Sequence, residues 1–325
     1  MLRKMIFGVL ALFAVYLFGG MSQRHNVFPW PQFSSLKVYL LGPQPRPESR
    51  YTFADDGRLT FDETKIVTNC PKQTERTAVL LVLGQSNAAN HGGQRYRSEH
   101  GAHIVNFFDG QCFVAASPLL GSTDARGGYW TQLGNLLVTS GKFDDVVIVP
   151  LAFSGSEVMR WAQGGDINRL LVKTAKQLEL TPYQVTDVLW VQGEIDYVKG
   201  TSEGVYRKRF LSMVDTLRAE KIEAPVYVSI TSKCLEPSNG GFKVDAPDNP
   251  VVRAQLALST SGNGIRRGIN IDALLNEVDR YDDCHMGGSG EQKVAQAWAD
   301  LLLADQLSSS GKLVKHSSAL QSGSG

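Results

Sequence analysis

"LLVLGQSNAAN", Leu80–Asn90, decides how the chain is read. A run of apolar residues stops at Gly84, and Gln85, Ser86 and Asn87 follow at once. Such a run, without polar alternation, fits a strand buried on both faces. A serine just past that strand has two readings. Ser and Asn both cap helices, so the segment can be an ordinary turn. It can also be a hydroxyl presented at the open end of a sheet, where open α/β sheets bind their ligands.

The same rhythm continues downstream. Apolar strand patterns at 79–83, 146–153, 185–191, 226–230 and 268–271 alternate with helical patterns at 129–140, 167–178, 203–221, 250–259 and 290–306. In the helix expected at 203–221, Val205, Phe210, Met213, Val214 and Leu217 share one face. Continuous apolar strands between amphipathic helices predict an α/β chain, a three-layer α/β/α sandwich around a central parallel sheet. An insertion at 101–120 reads as a strand pair. "YTFADDGRLTFDE", Tyr51–Glu63, reads as a hairpin around Asp55-Asp56-Gly57.

Composition bounds the rest. The chain has 325 residues, 42% hydrophobic and 20% charged, which is ordinary for a globular protein. With 33 basic and 32 acidic residues it offers no electrostatic case for nucleic acid. Residues 1–22 place Arg3 and Lys4 before an uncharged stretch, which predicts either an uncleaved membrane anchor or a cleaved export signal. Positive charge ahead of that stretch sends the remainder across the membrane, to the periplasm or cell exterior. Residues 23–75 read as a proline-rich spacer and the short hairpin, 76–307 as the catalytic domain, and 308–325 as a polar, disordered tail. The four cysteines suit an exported chain. Cys234 follows the fourth strand and Cys284 lies in a loop expected nearby, which predicts Cys234–Cys284 and Cys70–Cys112 bridges.

Polar segments stand at the strand ends: Gly84–Asn87, "AFSGSEVMRW" at 152–161, "WVQGEID" at 190–196 and "DRYDDCHMGGSG" at 279–290. Each alone has a structural explanation. Together they supply acyl transfer through a serine, which needs a nucleophile, a base, an acid that orients the base, and oxyanion donors. Ser86 is the candidate nucleophile, His285 the base and Asp282 the acid, with Asp283 as a substitute acid. Of the six histidines, His25 and His316 lie in spacer and tail, His91 has no acid nearby in sequence, and His100 and His103 flank the inserted strands. The oxyanion donors expected are the backbone N–H groups of Ser86 and Gly155 and the side-chain amide of Gln192. Gln85, Asn87 and Glu194 are supporting residues. Glu194 orients the loop or the imidazole, or is simply a structural carboxylate. Trp161 and Trp190 read as core rather than as sugar-stacking platforms. Neither a metal nor a cofactor is expected.

These segments resemble the SGNH hydrolases, and within them the sialate O-acetylesterase-like carbohydrate esterases. Gly84–Asn87, Gln192–Glu194 and Asp282–His285 carry the resemblance, in order, over about 77–303. It implies a flavodoxin-like fold, removal of acetyl groups from sugar hydroxyls without a metal, Ser86, Asp282 and His285 as triad, and Gly155 and Gln192 at the oxyanion. Ala88 occupies the last position of the Gly-x-Ser-x-Gly elbow, which argues against an α/β-hydrolase. The expected function is a serine-dependent carbohydrate O-acetylesterase acting on an acetylated carbohydrate. The alternatives are an O-acetyltransferase on an envelope polysaccharide, a catalytically silent glycan-binding protein, and a lipid or thioester hydrolase.

Overall fold

The computed structural model describes residues 18, 50–181, 183–236, 241–242 and 249–321. The expected anchor or signal and nearly all of the proline-rich spacer lie outside the described residues. In chain order the strands are β1 (Tyr51–Phe53), β2 (Leu59–Asp62), β3 (Val67–Thr68), β4 (Thr77–Gly84), β5 (Ile104–Phe108), β6 (Gln111–Val114), β7 (Asp145–Ala152), β8 (Asp187–Val191), β9 (Val226–Ile230), β10 (Leu235–Glu236), β11 (Gly241–Phe242) and β12 (Ile265–Asn270). The helices are α1 (Trp130–Thr139), α2 (Val158–Trp161), α3 (Asp166–Leu180), α4 (Glu194–Val198), α5 (Glu203–Ala219), α6 (Pro250–Ser259), α7 (Ile271–Leu274) and α8 (Gly288–Gln321).

Every residue of β4 is buried, as its unbroken apolar run requires. Successive side chains of a strand point to opposite faces. Val79, Leu81 and Leu83 accordingly join one core with residues of α2, α3, α5 and α6. Ala78, Leu80 and Val82 join a second core with residues of α1, α7 and α8. This is the expected three-layer sandwich. Trp161 and Trp190 are fully buried and meet edge to face with centroids 5.1 Å apart, so both belong to the core.

The main sheet runs β12-β9-β8-β4-β7-β5-β6-β3. All pairs from β12 to β5 are parallel, while β5–β6 and β6–β3 are antiparallel. The inserted strand pair is therefore no appendage: β5 extends the parallel sheet and β6 and β3 close its edge, making the sheet mixed rather than wholly parallel. The chain builds outward from β4 toward β7 and β5, then returns to its other side with β8 and β9. A crevice opens beyond the carboxyl ends at such a reversal. Register aligns Gly84 with Ala152 on one side and Val191 on the other. The segments after β4, β7 and β8 thus emerge side by side.

Two features depart from the sequence reading. The β1–β2 hairpin belongs to the same unit as the body, Arg50–Gly325. The N–H of Leu59 donates to Ser122 O at 2.8 Å and the N–H of Gly121 to Leu59 O at 2.9 Å, which docks the hairpin. In addition, α8 continues to Gln321 through the segment expected to be disordered. A helix already nucleated elongates without a second nucleation cost. Both expected disulfides are present, Cys70–Cys112 and Cys234–Cys284.

The first turn of α8 carries a fully buried acid, Glu291. Its Oε2 accepts the N–H of Gln94 at 2.8 Å, while Oε1 has no partner among the described residues. Burial raises its pKa from 4.5 to about 8, against the pull of the Gln94 bond. The folded chain therefore holds a proton that the unfolded chain has released between pH 4.5 and about 8. Its contribution to stability falls as pH rises through that window, by a few kcal/mol at the order of magnitude. Thermal unfolding between pH 5 and 8 should show a declining Tm, and Glu291→Gln should flatten that decline. Equal slopes for the two proteins would refute the assignment.

Candidate active site

Ser86 opens a 3-10 turn, Ser86–Ala88, directly beyond β4. Gly84 makes that placement feasible: its φ is +147°, and a Cβ there would lie 1.9 Å from Val191 O. The chain bends against β8, and the N–H of Gln85 donates to Val191 O at 3.0 Å. Ser86 is 4% exposed. The first N–H groups of a helical turn lack intrahelical partners. Among the described residues the Ser86 N–H makes no other bond. Gly155 follows β7 with φ +61°, is exposed, and its N–H is equally unengaged among the described residues. Its neighbours are held: the Ser154 N–H donates to Thr123 Oγ1 at 2.9 Å and the Ser156 N–H to Phe153 O at 3.2 Å.

The loop before α8 wraps around one carboxylate. Asp282 Oδ2 lies 2.7 Å from His285 Nδ1. Its Oδ1 accepts the N–H groups of Cys284 at 2.8 Å and His285 at 2.6 Å. Partial burial pushes the Asp282 pKa up, but these hydrogen bonds outweigh it and hold the carboxyl below its ordinary value. Asp283, the substitute acid, makes no comparable contact among the described residues.

The same loop is fastened to the Ser86 segment. Cys284 O accepts a bond from Asn87 Nδ2 at 3.4 Å and another from Arg280 Nη1. Asn87 Nδ2 also donates to Glu194 Oε1 at 2.7 Å, and Thr231 Oγ1 donates to the same oxygen at 2.9 Å. Glu194 thus ties the ends of β4, β8 and β9 together through side chains rather than touching the imidazole. Gln85 works similarly: its Oε1 accepts the N–H groups of Gly193 at 3.4 Å and Ile195 at 3.3 Å. The Cys234–Cys284 bridge anchors the loop from the β9 side.

Gln192 departs from its expected role. Its side-chain amide donates to Ser156 O at 3.0 Å and to Asp196 Oδ2 at 2.5 Å, so both protons are used. Its Oε1 accepts the Tyr206 hydroxyl at 2.8 Å, and the residue is fully buried. An amide with both donors committed inside the core offers none to an oxyanion, and the open donors are the backbone N–H groups of Ser86 and Gly155. Asp196, four residues on from Gln192, supplied the competing acceptor.

His91 also differs from expectation. It does have an acid: Asp124 Oδ2 lies 3.3 Å from its Nδ1. Its ring stacks on that of His285, centroids 4.9 Å apart and planes 20° from parallel. Asp124 and Arg280 were not identifiable as site residues from sequence, since neither sits in a periodic pattern or next to its partner. His100 bonds Thr139 Oγ1 at 2.9 Å and His103 bonds Asp145 Oδ1 at 2.9 Å, both at the surface. Among the described residues no group of three His, Cys, Asp or Glu side chains is arranged to hold a metal ion.

Comparison with known proteins agrees with this architecture. No curated protein matches the chain. A protein from Arabidopsis thaliana solved by X-ray crystallography shares the fold at a TM-score of 0.54 and 16% identity, over 70% of this chain and 98% of its own. NanS aligns at a TM-score of 0.48 and 15% identity, over 72% and 98% of the two chains. A carbohydrate acetylesterase from Xanthomonas citri aligns at 0.45 and 18% identity, over 68% and 54%. Residues 76–304 match the family model described as carbohydrate esterase, sialic acid-specific acetylesterase. Those residues include all of the main sheet except its edge strand β3, together with every site residue described above, and the chain belongs to that family of carbohydrate esterases.

Proposed function

We propose that the chain is a serine-dependent carbohydrate O-acetylesterase. The observation that carries this reading is the His285–Asp282 pair at 2.7 Å, on a loop hydrogen-bonded to the residue after Ser86. Ser86 Oγ attacks the acetyl carbonyl as His285 takes its proton. Asp282 fixes the imidazole with Nδ1 as donor and stabilises the imidazolium that forms. The N–H groups of Ser86 and Gly155 receive the oxyanion. Collapse of the tetrahedral intermediate breaks the bond to the sugar oxygen, which leaves with the proton from His285. Water, deprotonated by His285, then attacks the acetyl-enzyme, and acetate departs as Ser86 recovers its proton. Two disulfides suit an exported protein. No helix among the described residues is long and apolar enough to cross a membrane, and an anchor at 1–22 remains part of the proposal.

Acetate release from p-nitrophenyl acetate and from acetylated sugars tests the mechanism. Ser86→Ala should lower kcat by about a thousandfold or more, and Asp282→Asn by up to about 10⁴-fold with KM little changed. Acetate release indifferent to Ser86→Ala would end the serine mechanism. Faster transfer to an added oligosaccharide than to water would assign a transferase instead. The double variant Cys234→Ser/Cys284→Ser should cut kcat by about ten- to a hundredfold, since small displacements of a catalytic group cost that much. Full activity in the unbridged protein would show that the bridge does not position His285.

A further inference from the structure

The reaction as drawn uses one of two stacked histidine–carboxylate pairs. The other, His91 with Asp124, carries no step. We propose that His91 is a positioning residue, whose ring stacks on the His285 imidazole and holds it in the orientation set by Asp282. The inference rests on His285 being the base.

His285 sits on a loop, and its side chain is 21% exposed. One hydrogen bond to Nδ1 leaves the ring free to tilt about its axis, so a wall against its face removes the remaining freedom. His91 is suited to be that wall because its own segment is rigid. Asn90 bonds the backbone of Leu119 through both ends of its amide, at 2.7 and 2.8 Å. The Gly92 N–H donates to Gly127 O at 3.0 Å, and the Gly93 N–H to Met286 O at 2.8 Å. The last bond ties the His91 segment to the residue after His285. Tyr281 adds a second nearly parallel ring, 6.0 Å from His285 and tilted 21°, and its hydroxyl donates to His91 O at 2.9 Å.

Chemistry separates the two histidines. Asp124 Oδ2 lies 3.3 Å from His91 Nδ1, and the Nε2 of His91 is buried without a partner among the described residues. An atom so enclosed is poorly placed to exchange protons with Ser86 or water. Burial lowers the His91 pKa to about 4; His285 and Arg126 push the same way, and Asp124 and Asp282 oppose them. His91 is therefore neutral near pH 7. When His285 takes the serine proton, it does so against an uncharged ring, without like-charge repulsion.

The test compares His91→Ala and His91→Phe in the full-length protein, with Ser86→Ala and His285→Ala as controls. His91→Ala should lower kcat about tenfold or more with KM within about twofold, and His91→Phe, which restores a ring without its nitrogens, should recover most of the loss. The His91 share of the ring-current shift at the His285 Hε1 proton should vanish in the alanine variant and persist in the phenylalanine variant, a readout independent of turnover. Should His91→Ala unfold, His91→Leu supplies the ringless comparison. Wild-type kcat in the ringless variant, or a phenylalanine variant as slow as it, overturns the proposal. Activity surviving His285→Ala or Ser86→Ala identifies the failure as that of the triad reading instead.

Discussion

The carbonyl of Cys284 joins the two halves of the site. It lies on the loop that carries His285 and accepts from Asn87, one residue past Ser86, and from the buried Arg280 of the same loop. Moving the loop away would cost the Asn87 amide its bond to Cys284 O, a loss of about 0.5–1.5 kcal/mol for a typical hydrogen bond. The link continues through Asn87 to Glu194 and on to Thr231. Segments more than a hundred residues apart in the chain are thereby held by one side-chain network. A disulfide at the same cysteine adds a covalent tie to the end of β9. The placement of the His285 loop relative to Ser86 is therefore governed by side-chain hydrogen bonds and a disulfide rather than by the backbone of a single element.

That network depends in turn on sheet register. Gly84, Ala152 and Val191 stand level, so three loops leave the sheet at one height. What each loop does next is decided by competition for hydrogen bonds. After β4 and β7, the Ser86 and Gly155 N–H groups stay unengaged among the described residues. After β8, Gln192 turns inward, where Ser156, Asp196 and Tyr206 take its polar atoms and the Gln255 amide reaches its carbonyl at 2.9 Å. A polar residue at a strand end can serve a ligand or the scaffold. Here the segment after β8 serves the scaffold, beside the two segments after β4 and β7.

The parts legible in sequence were those written in local pattern. The runs of β4 and β7 read as buried strands because they are, and the helical pattern at 250–259 is α6, which the structure shows capped by Asn249. Asp282 and His285 were readable as a pair since three residues separate them in a tight loop. Illegible features depended on distant partners. Nothing near β5 or β6 announces that β5 pairs with β7. Asp124 is 33 positions from His91, in a loop without periodicity, and its φ of +67° belongs to a turn that spacing does not encode. Gln192 shows the same limit: its residue type fits an oxyanion donor, but its hydrogen-bond partners are known only once α4 and α5 have packed.

Protonation sorts the carboxylates around the crevice and bears on which of them can assist an imidazole. Burial raises the pKa of Asp196 and of Asp272, although each accepts several hydrogen bonds. Asp282 faces the same penalty in weaker form, and there the bonds from His285 and Cys284 win. The difference follows from exposure, because a partly solvated carboxylate loses less hydration and keeps the full benefit of three donors. A carboxylate whose pKa hydrogen bonds hold down keeps the charge that favours a positive imidazole beside it. Environments that push carboxylates apart in this way distinguish working acids from structural ones. At Asp282 geometry and electrostatics coincide: its Oδ2 lies 2.7 Å from His285 Nδ1, and its hydrogen bonds hold the carboxyl below its ordinary pKa.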